Sequence, residues 1–198
     1  VTGSGALFVG STIAKETLDA GLLTFTPAAN AKGNRYSSFT FQLQDDGGTA
    51  NGGVDLDPSA NTITIDVTAV NDAPSGANAT VTALEDTAYA FSAVDFGFSD
   101  AADGDALRAV KMTTLASAGT LKLSGVAVSA NDVISVADIT AGNLTFTAAA
   151  NANGAGYANF TFQVQDDGGT ANGGVGLDPS ANNITIGLAA RNDAPSRG

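Results

Sequence analysis

The chain of 198 residues contains no cysteine, no histidine and no tryptophan. These absences exclude disulfide scaffolds, zinc and haem sites, and every nucleophilic mechanism that uses a cysteine or a histidine base. Basic residues are also scarce, because 8 Lys and Arg stand against 20 Asp and Glu, for a net charge of -12. The chain lacks the basic surface that binds nucleic acid or an anionic membrane. No apolar run approaches the roughly 20 residues of a transmembrane helix, so we expect neither nucleic-acid binding nor membrane insertion.

Small and polar residues dominate what is present. Ala, Gly, Ser, Thr, Asn and Asp make up most of the chain, while Phe and short β-branched runs supply the apolar surface. This composition is typical of an all-β secreted module. Acidic, cysteine-free chains of this kind often use metal ions where other small secreted domains use disulfides.

The sequence repeats itself with a period of one whole domain. Residues 39–54 (FTFQLQDDGGTANGGV) return as residues 160–175 (FTFQVQDDGGTANGGV), and Asp45 becomes Asp166, 121 positions later. At the same offset, the linker Asn71-Asp72-Ala73-Pro74 returns as Asn192-Asp193-Ala194-Pro195. The repeating unit is therefore much longer than the unit of a small solenoid.

The two copies are not equally complete. We predict that residues 1–72 form the C-terminal part of an incomplete first repeat, that residues 73–193 form a complete repeat, and that residues 194–198 begin the next linker. At this offset Val1 corresponds to Lys122, so the first copy lacks at least the opening third of the repeat. Half a sandwich should expose its core. We infer a fragment whose missing strands another molecule supplies, or whose fold is rearranged.

Short β-type runs separated by Gly, Asn and Asp turns predict a sandwich for the complete copy. Phe160 and Phe162 alternate with polar residues, which indicates one inward face. Residues 136–139 offer a single helical turn. We predict an all-β, Ig-like antiparallel β-sandwich in tandem repeats. The expected strands are Thr80–Leu84, Tyr89–Phe98, Leu107–Leu115, Thr120–Val128, Asn143–Thr147, Ala158–Gln165 and Asn183–Leu188.

A loop rich in aspartate points to a cation. Asp100, Asp103 and Asp105 lie within six residues, with one glycine and no basic residue among them. Calcium fits such a loop best, because it accepts 6–8 oxygen ligands in a tolerant geometry, whereas zinc prefers nitrogen and sulfur. The loop is not an EF-hand, since it lacks the Gly at position 6 and the Glu at position 12. A solvated polar turn remains the alternative reading.

Strand order predicts where the acidic residues meet. Because strand ends alternate between the two poles of an antiparallel sandwich, the Asp100–Asp105 loop, the Asp166-Asp167 pair and the linker Asn71-Asp72 should share one pole. Glu85-Asp86 should lie at the opposite pole, with Asn192-Asp193. The candidate metal ligands are Asn71, Asp72, Asp100, Asp103, Asp105, Asp166, Asp167, Glu85, Asp86, Asn192 and Asp193, together with Asp45 and Asp46, which repeat the Asp166-Asp167 pair in the first copy.

These motifs resemble those of a known family. Both NDAP linkers resemble cadherin linkers, in which an Asn-Asp pair precedes a proline. Asp103-Gly104-Asp105 resembles the Asp-x-Asp pair that ends the second cadherin strand, and Glu85 falls where the first strand of a cadherin supplies a glutamate. The long, nearly identical period and the Asp-Asp-Gly-Gly motif are still more similar to the cadherin-like tandem repeats of large bacterial surface adhesins of the RTX type.

The resemblance implies a cadherin-like sandwich stiffened by calcium, exported to the bacterial cell surface and serving adhesion or biofilm formation. Neighbouring repeats of the same chain would be its partners. The sequence also departs from the cadherin pattern. No acidic pair follows the fifth strand, where residues 147–151 offer only Asn151 and backbone carbonyls as ligands, and Asp55 and Asp66 become Gly176 and Gly187 in the second copy. Asp55 and Asp66 are therefore not obligatory ligands.

Other functions fit the sequence less well. Paired carboxylates could suggest a glycosidase, but these acids lie in linkers between repeats and no aromatic cleft is indicated, so we expect no enzyme. An extracellular polysaccharide is the alternative ligand, for which Tyr36 and Tyr157 are the candidate platforms. Homotypic contact between repeats on neighbouring cells is a third possibility.

Overall fold

The computed structural model of the protein describes residues 6–192 and separates the chain into two compact units, Val1–Ala69 (unit 1) and Val70–Gly198 (unit 2). None of the helices within the described residues has the length and apolar character that crossing a bilayer requires.

Unit 1 consists mainly of one two-stranded sheet. A short helix, α1 (Lys15–Asp19), precedes strands β1 (Gly33–Phe41) and β2 (Asn61–Val67), which pair antiparallel with Phe39 opposite Ile63. No described residue of this unit is buried. Its apolar side chains are therefore exposed or half-buried, as Phe39 and Ile63 show.

Unit 2 is a sandwich of two sheets. One sheet has five strands and the other has four. A one-and-a-half-turn helix, α2 (Val136–Thr140), lies where the sequence offers a helical turn, with the Ser135 hydroxyl accepting from the Asp138 N–H at its start. The strands are β3 (Ala79–Leu84), β4 (Tyr89–Ala90), β5 (Leu107–Met112), β6 (Thr120–Leu123), β7 (Val126–Ala127), β8 (Val133–Ser135), β9 (Leu144–Thr147), β10 (Gly154–Asp166) and β11 (Asn182–Ala189). The five-stranded sheet has the order β3-β11-β10-β5-β8, and the four-stranded sheet has the order β4-β9-β6-β7.

Two of the predicted strands are broken by local polar chemistry. The run predicted as Tyr89–Phe98 is a strand only over Tyr89–Ala90, because Ser92 and Asp95 form a capping box that starts a 3-10 turn, and this turn ends at Gly97 with φ of 54°. The run predicted as Thr120–Val128 is a hairpin, because Ser124 and Gly125 both take positive φ.

The sandwich is mixed rather than wholly antiparallel. Strand β3 runs parallel to β11, with Val81 opposite Ile186, while the other pairings in unit 2 are antiparallel. The sequence did not predict β8, since three residues are too few to show alternation. The parallel pairing places the end of the first strand of unit 2 beside the end of its last strand.

Aromatic rings fill the space between the two sheets. The ring of Phe91 meets that of Phe160 edge-on with centroids 5.6 Å apart, and Phe96 meets Phe162 in the same way at 5.0 Å. All four rings are at most 2% exposed. The alternation of β10 therefore turns Phe160 and Phe162 inward as predicted, and burial of these apolar side chains is the main force that holds the sandwich together.

Candidate metal centre

The C-terminal end of β10 carries a buried carboxylate. Asp166 is 1% exposed, and its backbone N–H donates to the Gly176 carbonyl at 3.0 Å. Its Oδ1 accepts from the Gly168 N–H at 3.1 Å, an Asx turn that the Asp-Asp-Gly-Gly sequence favours. Asp166 is therefore held in one orientation at the pole predicted for it.

The linker residue Asn71 is anchored to this carboxylate. Its Nδ2 donates to both oxygens of Asp166, at 3.0 and 3.2 Å, and to the carbonyls of Gly169 and Val175, each at 3.0 Å. These contacts fix the amide group. The remaining atom, Asn71 Oδ1, is enclosed and has no hydrogen-bond partner.

Gly168 leaves room for two oxygens to converge. A Cβ atom built on Gly168 would lie 2.0 Å from Asp105 Oδ2 and 2.2 Å from Asn71 Oδ1. Both oxygens therefore border the same small space beside the Gly168 backbone. Neither oxygen can donate a hydrogen bond to the other, so no contact between them stabilises their close approach.

The aspartate loop is tied to the linker as well. Asp103 Oδ2 accepts from the Asp72 N–H at 2.6 Å, and the Asp103 N–H donates to Asp100 Oδ1 at 3.1 Å. The other carboxylate oxygen of Asp100, Oδ2, is buried without a hydrogen-bond partner. An orphaned buried carboxylate oxygen is costly unless a cation or an ordered water satisfies it.

Asp167 connects the two loops through the backbone. Its Oδ1 accepts from the Ala106 N–H at 2.8 Å, and its own N–H donates to the Ala106 carbonyl at 3.1 Å. The two acidic loops are thus held side by side in the folded chain.

Electrostatic repulsion is concentrated on Asp105. Partial burial raises the pKa of its carboxyl, and the negative charges of Asp100, Asp167, Asp103 and Asp166 raise this pKa further. The fold therefore forces like charges together at this pole, and a cation would relieve the repulsion.

The donor set fits calcium. It consists of carboxylate oxygens and one side-chain amide oxygen, with no nitrogen or sulfur ligand, which is the chemistry that calcium prefers. The two orphaned oxygens, on Asn71 and Asp100, are atoms that a bound cation would satisfy. No three acidic side chains within residues 6–192 already form a compact ligand group. A cation would have to use the amide oxygen together with the carboxylates.

The opposite pole holds the second predicted group. Glu85 is 3% exposed, and its two carboxylate oxygens accept from the Arg191 N–H and, at 3.3 Å, from Asn153 Nδ2. Asp86 Oδ1 accepts from the Asn151 N–H at 3.1 Å. Both carboxylates therefore have hydrogen-bond partners from unit 2.

The remaining candidate ligands are less constrained. Asn192 is exposed, and Asp193 lies outside the described residues. Asp45 and Asp46 in unit 1 are exposed too, although Asp45 Oδ1 accepts from the Gly47 N–H at 2.8 Å in the same Asx turn as Asp166.

Both tyrosines proposed as sugar platforms are engaged locally. The Tyr157 hydroxyl accepts from the Ala149 N–H at 3.1 Å, and its ring packs edge-on against Phe146 with centroids 6.3 Å apart. Tyr36 accepts from the Ala28 N–H at 3.4 Å. These contacts hold loops in place, which favours a structural role for both rings.

One buried acid, Asp178, was not among the residues predicted from the sequence. Asp178 is 3% exposed, and it accepts hydrogen bonds from the Gly76 N–H at 2.7 Å, the Ser180 N–H at 2.8 Å and Asn182 Nδ2 at 2.7 Å. The signal was present, because Asp-Pro-Ser-Ala-Asn occurs in both copies and Asp followed by Pro-Ser favours an Asx turn. Asp178 fastens the segment after the linker to the sheet, and these three partners are not among the candidate ligands.

Part of the chain matches a known protein family. Residues 71–177, which are more than half of the chain, match a family model described as bacterial Ig domain. No curated protein and no solved structure matches the chain. The matched region begins at Asn71 and includes both acidic loops of the candidate centre.

Proposed function

Because the chain belongs to the bacterial Ig domain family, we propose that it is a calcium-binding, calcium-stiffened repeat module of a bacterial cell-surface adhesin. Bacterial Ig domains are non-catalytic structural domains and are typical of extracellular or surface proteins. In this proposal the module has no enzymatic activity. It extends and stiffens an adhesive chain that takes part in cell adhesion or biofilm formation.

The observation that carries the proposal is the pair of orphaned oxygens in an acidic cluster. Asn71 Oδ1 and Asp100 Oδ2 are enclosed without partners, and Asp105 is subject to the charges of four other aspartates. Two like charges about 4 Å apart repel by about 1 kcal/mol even in water. A folded protein that gathers such groups supports a role for them in binding a cation.

Asn71, Asp100, Asp103, Asp105 and Asp166 are the residues that would hold the ion. When bound, calcium supplies positive charge that offsets the repulsion among these oxygens. The chain supplies the positioning: Asp166 orients the Asn71 amide, and Asp103 holds the Asp72 backbone. Since both linker residues belong to this network, binding an ion here would restrict the motion of the linker.

The calcium affinity expected of such a module is compatible with its export from the cell. Extracellular calcium modules bind with dissociation constants of about 10⁻⁴–10⁻³ M. A module of this affinity would be empty in the cytosol and filled outside the cell. The chain would stay flexible before export and stiffen at the surface.

The test is a calcium titration of the intact chain. We expect isothermal titration to show saturable binding in the submillimolar to millimolar range, accompanied by a rise in thermal midpoint that magnesium reproduces poorly. Asp105→Asn should weaken binding by about tenfold or more, equivalent to at least about 1.4 kcal/mol.

Asp132→Asn is the matched control. Asp132 is an exposed aspartate of unit 2 that accepts from the Ser129 N–H at 2.7 Å, outside the candidate centre. This variant should bind calcium like the unmodified chain. The proposal would be wrong if millimolar calcium produced neither heat nor a change in thermal midpoint, or if both variants lost binding equally.

A further inference from the structure

The pair Asn172-Gly173 lies in an exposed turn of unit 2. Both residues belong to a 3-10 turn (Ala171–Gly173), both are exposed, and the side chain of Thr170 does not cap the turn. Asn172 takes the left-handed conformation, with φ of 56° and ψ of 24°, which asparagine tolerates better than most residues. A short, uncapped turn of this kind opens locally at a small cost in free energy.

An asparagine followed by a glycine is chemically labile. The backbone nitrogen of the glycine can attack the side-chain amide carbon of the asparagine, and a glycine has no Cβ to obstruct this approach. A Cβ atom built on Gly173 would meet nothing within 4 Å, so the space around this residue is open. Both reacting groups are therefore accessible once the turn opens.

The reaction needs only water. When the nitrogen of Gly173 bonds to Cγ of Asn172, its proton passes through solvent to the departing Nδ2 group, which leaves as ammonia, and a succinimide ring closes. Water then adds to one of the two ring carbonyls and opens the ring. Opening on one side gives aspartate with the backbone unchanged. Opening on the other side gives isoaspartate, whose backbone runs through the side chain and is one atom longer.

The repeat supplies a second pair of the same kind. Asn51-Gly52 in unit 1 is the repeat equivalent of Asn172-Gly173, and both of its residues are exposed. Asn51 also takes the left-handed conformation, with φ of 57° and ψ of 28°. The two turns should therefore react at similar rates.

The third Asn-Gly pair of the chain is held by its surroundings. Asn153 Nδ2 donates to the buried carboxylate of Glu85 at 3.3 Å, and Gly154 begins β10, where it is paired opposite Leu188. Succinimide formation at this pair would have to break the side-chain contact and fray the strand. Asn153 is therefore an internal control with the same sequence and a different structure.

The loop that contains Asn172 also holds the linker. The Val175 N–H donates to the Asn71 carbonyl at 2.9 Å, and Asn71 Nδ2 donates to the carbonyls of Gly169 and Val175, each at 3.0 Å. Gly174 is buried against the same residue, since a Cβ atom built on it would lie 3.0 Å from the Asn71 nitrogen. An extra backbone atom at Asn172 would displace these groups from Asn71.

From these observations we propose that Asn172-Gly173 is a site of spontaneous deamidation and backbone isomerisation, and that the modified loop releases its hold on Asn71. The chemical step does not depend on a metal ion. Its effect on calcium affinity rests on the proposed function, because Asn71 is one of the proposed ligands. The linker anchor is then lost slowly and irreversibly as the protein ages.

The test ages the intact chain in mildly alkaline, calcium-free buffer and maps it by mass spectrometry. Exchange of the amide NH₂ for OH changes the mass of the residue, and enzymatic methylation of isoaspartate detects the isomerised backbone. We expect Asn153 to convert at least about tenfold more slowly than Asn172 and Asn51, equivalent to about 1.4 kcal/mol in the barrier. All rates should rise with pH, because the attacking nitrogen must lose its proton.

Two variants connect the modification to the linker. Asn172→Gly has no amide to lose, and glycine adopts the left-handed conformation freely. Ageing should speed hydrogen exchange of the Val175 amide by about tenfold or more in the unmodified chain and leave it unchanged in Asn172→Gly. Freshly prepared Asn172→Asp has the new charge on an unaltered backbone, so its Val175 amide should exchange like that of the unmodified, unaged chain.

Two results would overturn the proposal. One is an Asn172 that stays intact or converts no faster than Asn153. The other is conversion to isoaspartate with exchange of the Val175 amide unchanged. A fresh chain that binds no calcium would disprove the proposed function alone, because the mapping and the exchange measurements are both made in calcium-free buffer.

Discussion

Asn71 donates from its side-chain amide to both carboxylate oxygens of Asp166, although the two residues are 95 positions apart in the sequence. This contact joins the start of unit 2 to the end of its longest strand. It also fixes the orientation of the side-chain amide, and so directs Asn71 Oδ1 toward Asp105.

Removing the amide should loosen this end of unit 2. Asn71→Ala leaves Asp166 and the carbonyls of Gly169 and Val175 without their common donor, so we expect a loss of about 1–3 kcal/mol in the free energy of unfolding. Urea denaturation of unit 2 measures this change. Asn192→Ala is the control, since Asn192 is the exposed repeat equivalent of Asn71, and equal losses in both variants would contradict the account.

Adding one methyl group at Gly168 should impair calcium binding. The Cβ of Gly168→Ala would overlap Asp105 Oδ2 and Asn71 Oδ1, so these oxygens would have to move apart. We expect calcium affinity to fall by about tenfold or more. In Gly47→Ala, the repeat equivalent in unit 1, the Cβ would meet Asp45 Oδ1 at 3.1 Å, and calcium binding by unit 2 should be unaffected.

Asp105→Asn should stabilise the calcium-free protein. Burial and neighbouring aspartates raise the pKa of Asp105 in the folded state, so the ionised carboxylate opposes folding. This cost is absent below the ordinary aspartate pKa of about 3.9, grows as the pH rises toward the raised folded pKa, and is complete above it. Urea midpoints in a chelating buffer should therefore be higher for the variant at pH 7 and converge near pH 3. Saturating calcium should reverse the order at pH 7, and a variant that is less stable without calcium would contradict the prediction.

We expect Asp178 to contribute to the stability of unit 2 but not to its calcium affinity. Asp178→Ala removes the acceptor for Gly76, Ser180 and Asn182, and we expect a loss of about 1–3 kcal/mol in the free energy of unfolding of unit 2. Asp57→Ala in unit 1 should change that value by less than about 0.5 kcal/mol. Calcium affinity of the folded Asp178→Ala protein should match that of the unmodified chain, and a large drop would place Asp178 among the ligands.

The repeat and the alternation of apolar residues were enough to predict the sandwich and most strands. Phe160 and Phe162 face inward as expected, whereas their repeat equivalents in unit 1 are exposed at Phe39 and half-buried at Phe41. Strand alternation also predicted which loops share a pole, and the structure brings Asn71 to Asp166 and Asp72 to Asp103. Both outcomes depend on regular strand geometry, which sequence periodicity reports directly.

Contacts that depend on local polar competition were not predictable. The capping box of Ser92 and Asp95 stops a strand that hydrophobicity alone would continue. The role of Gly168 depends on the absence of a side chain near oxygens from distant segments, and no periodicity encodes such an approach. The parallel pairing of β3 with β11 also lay outside the prediction, since alternation specifies which face is buried but not which strands are neighbours.

That parallel pairing determines how unit 2 would carry tension along the chain. The first strand of the unit is pulled by its beginning and the last strand by its end, so a stretching force slides β3 and β11 past each other along their axes. Their six residue pairs then share the load at once, instead of separating one after another as in a peeled hairpin. Single-molecule stretching of the chain should accordingly show unit 2 rupturing in one high-force event, the behaviour of a mechanical clamp.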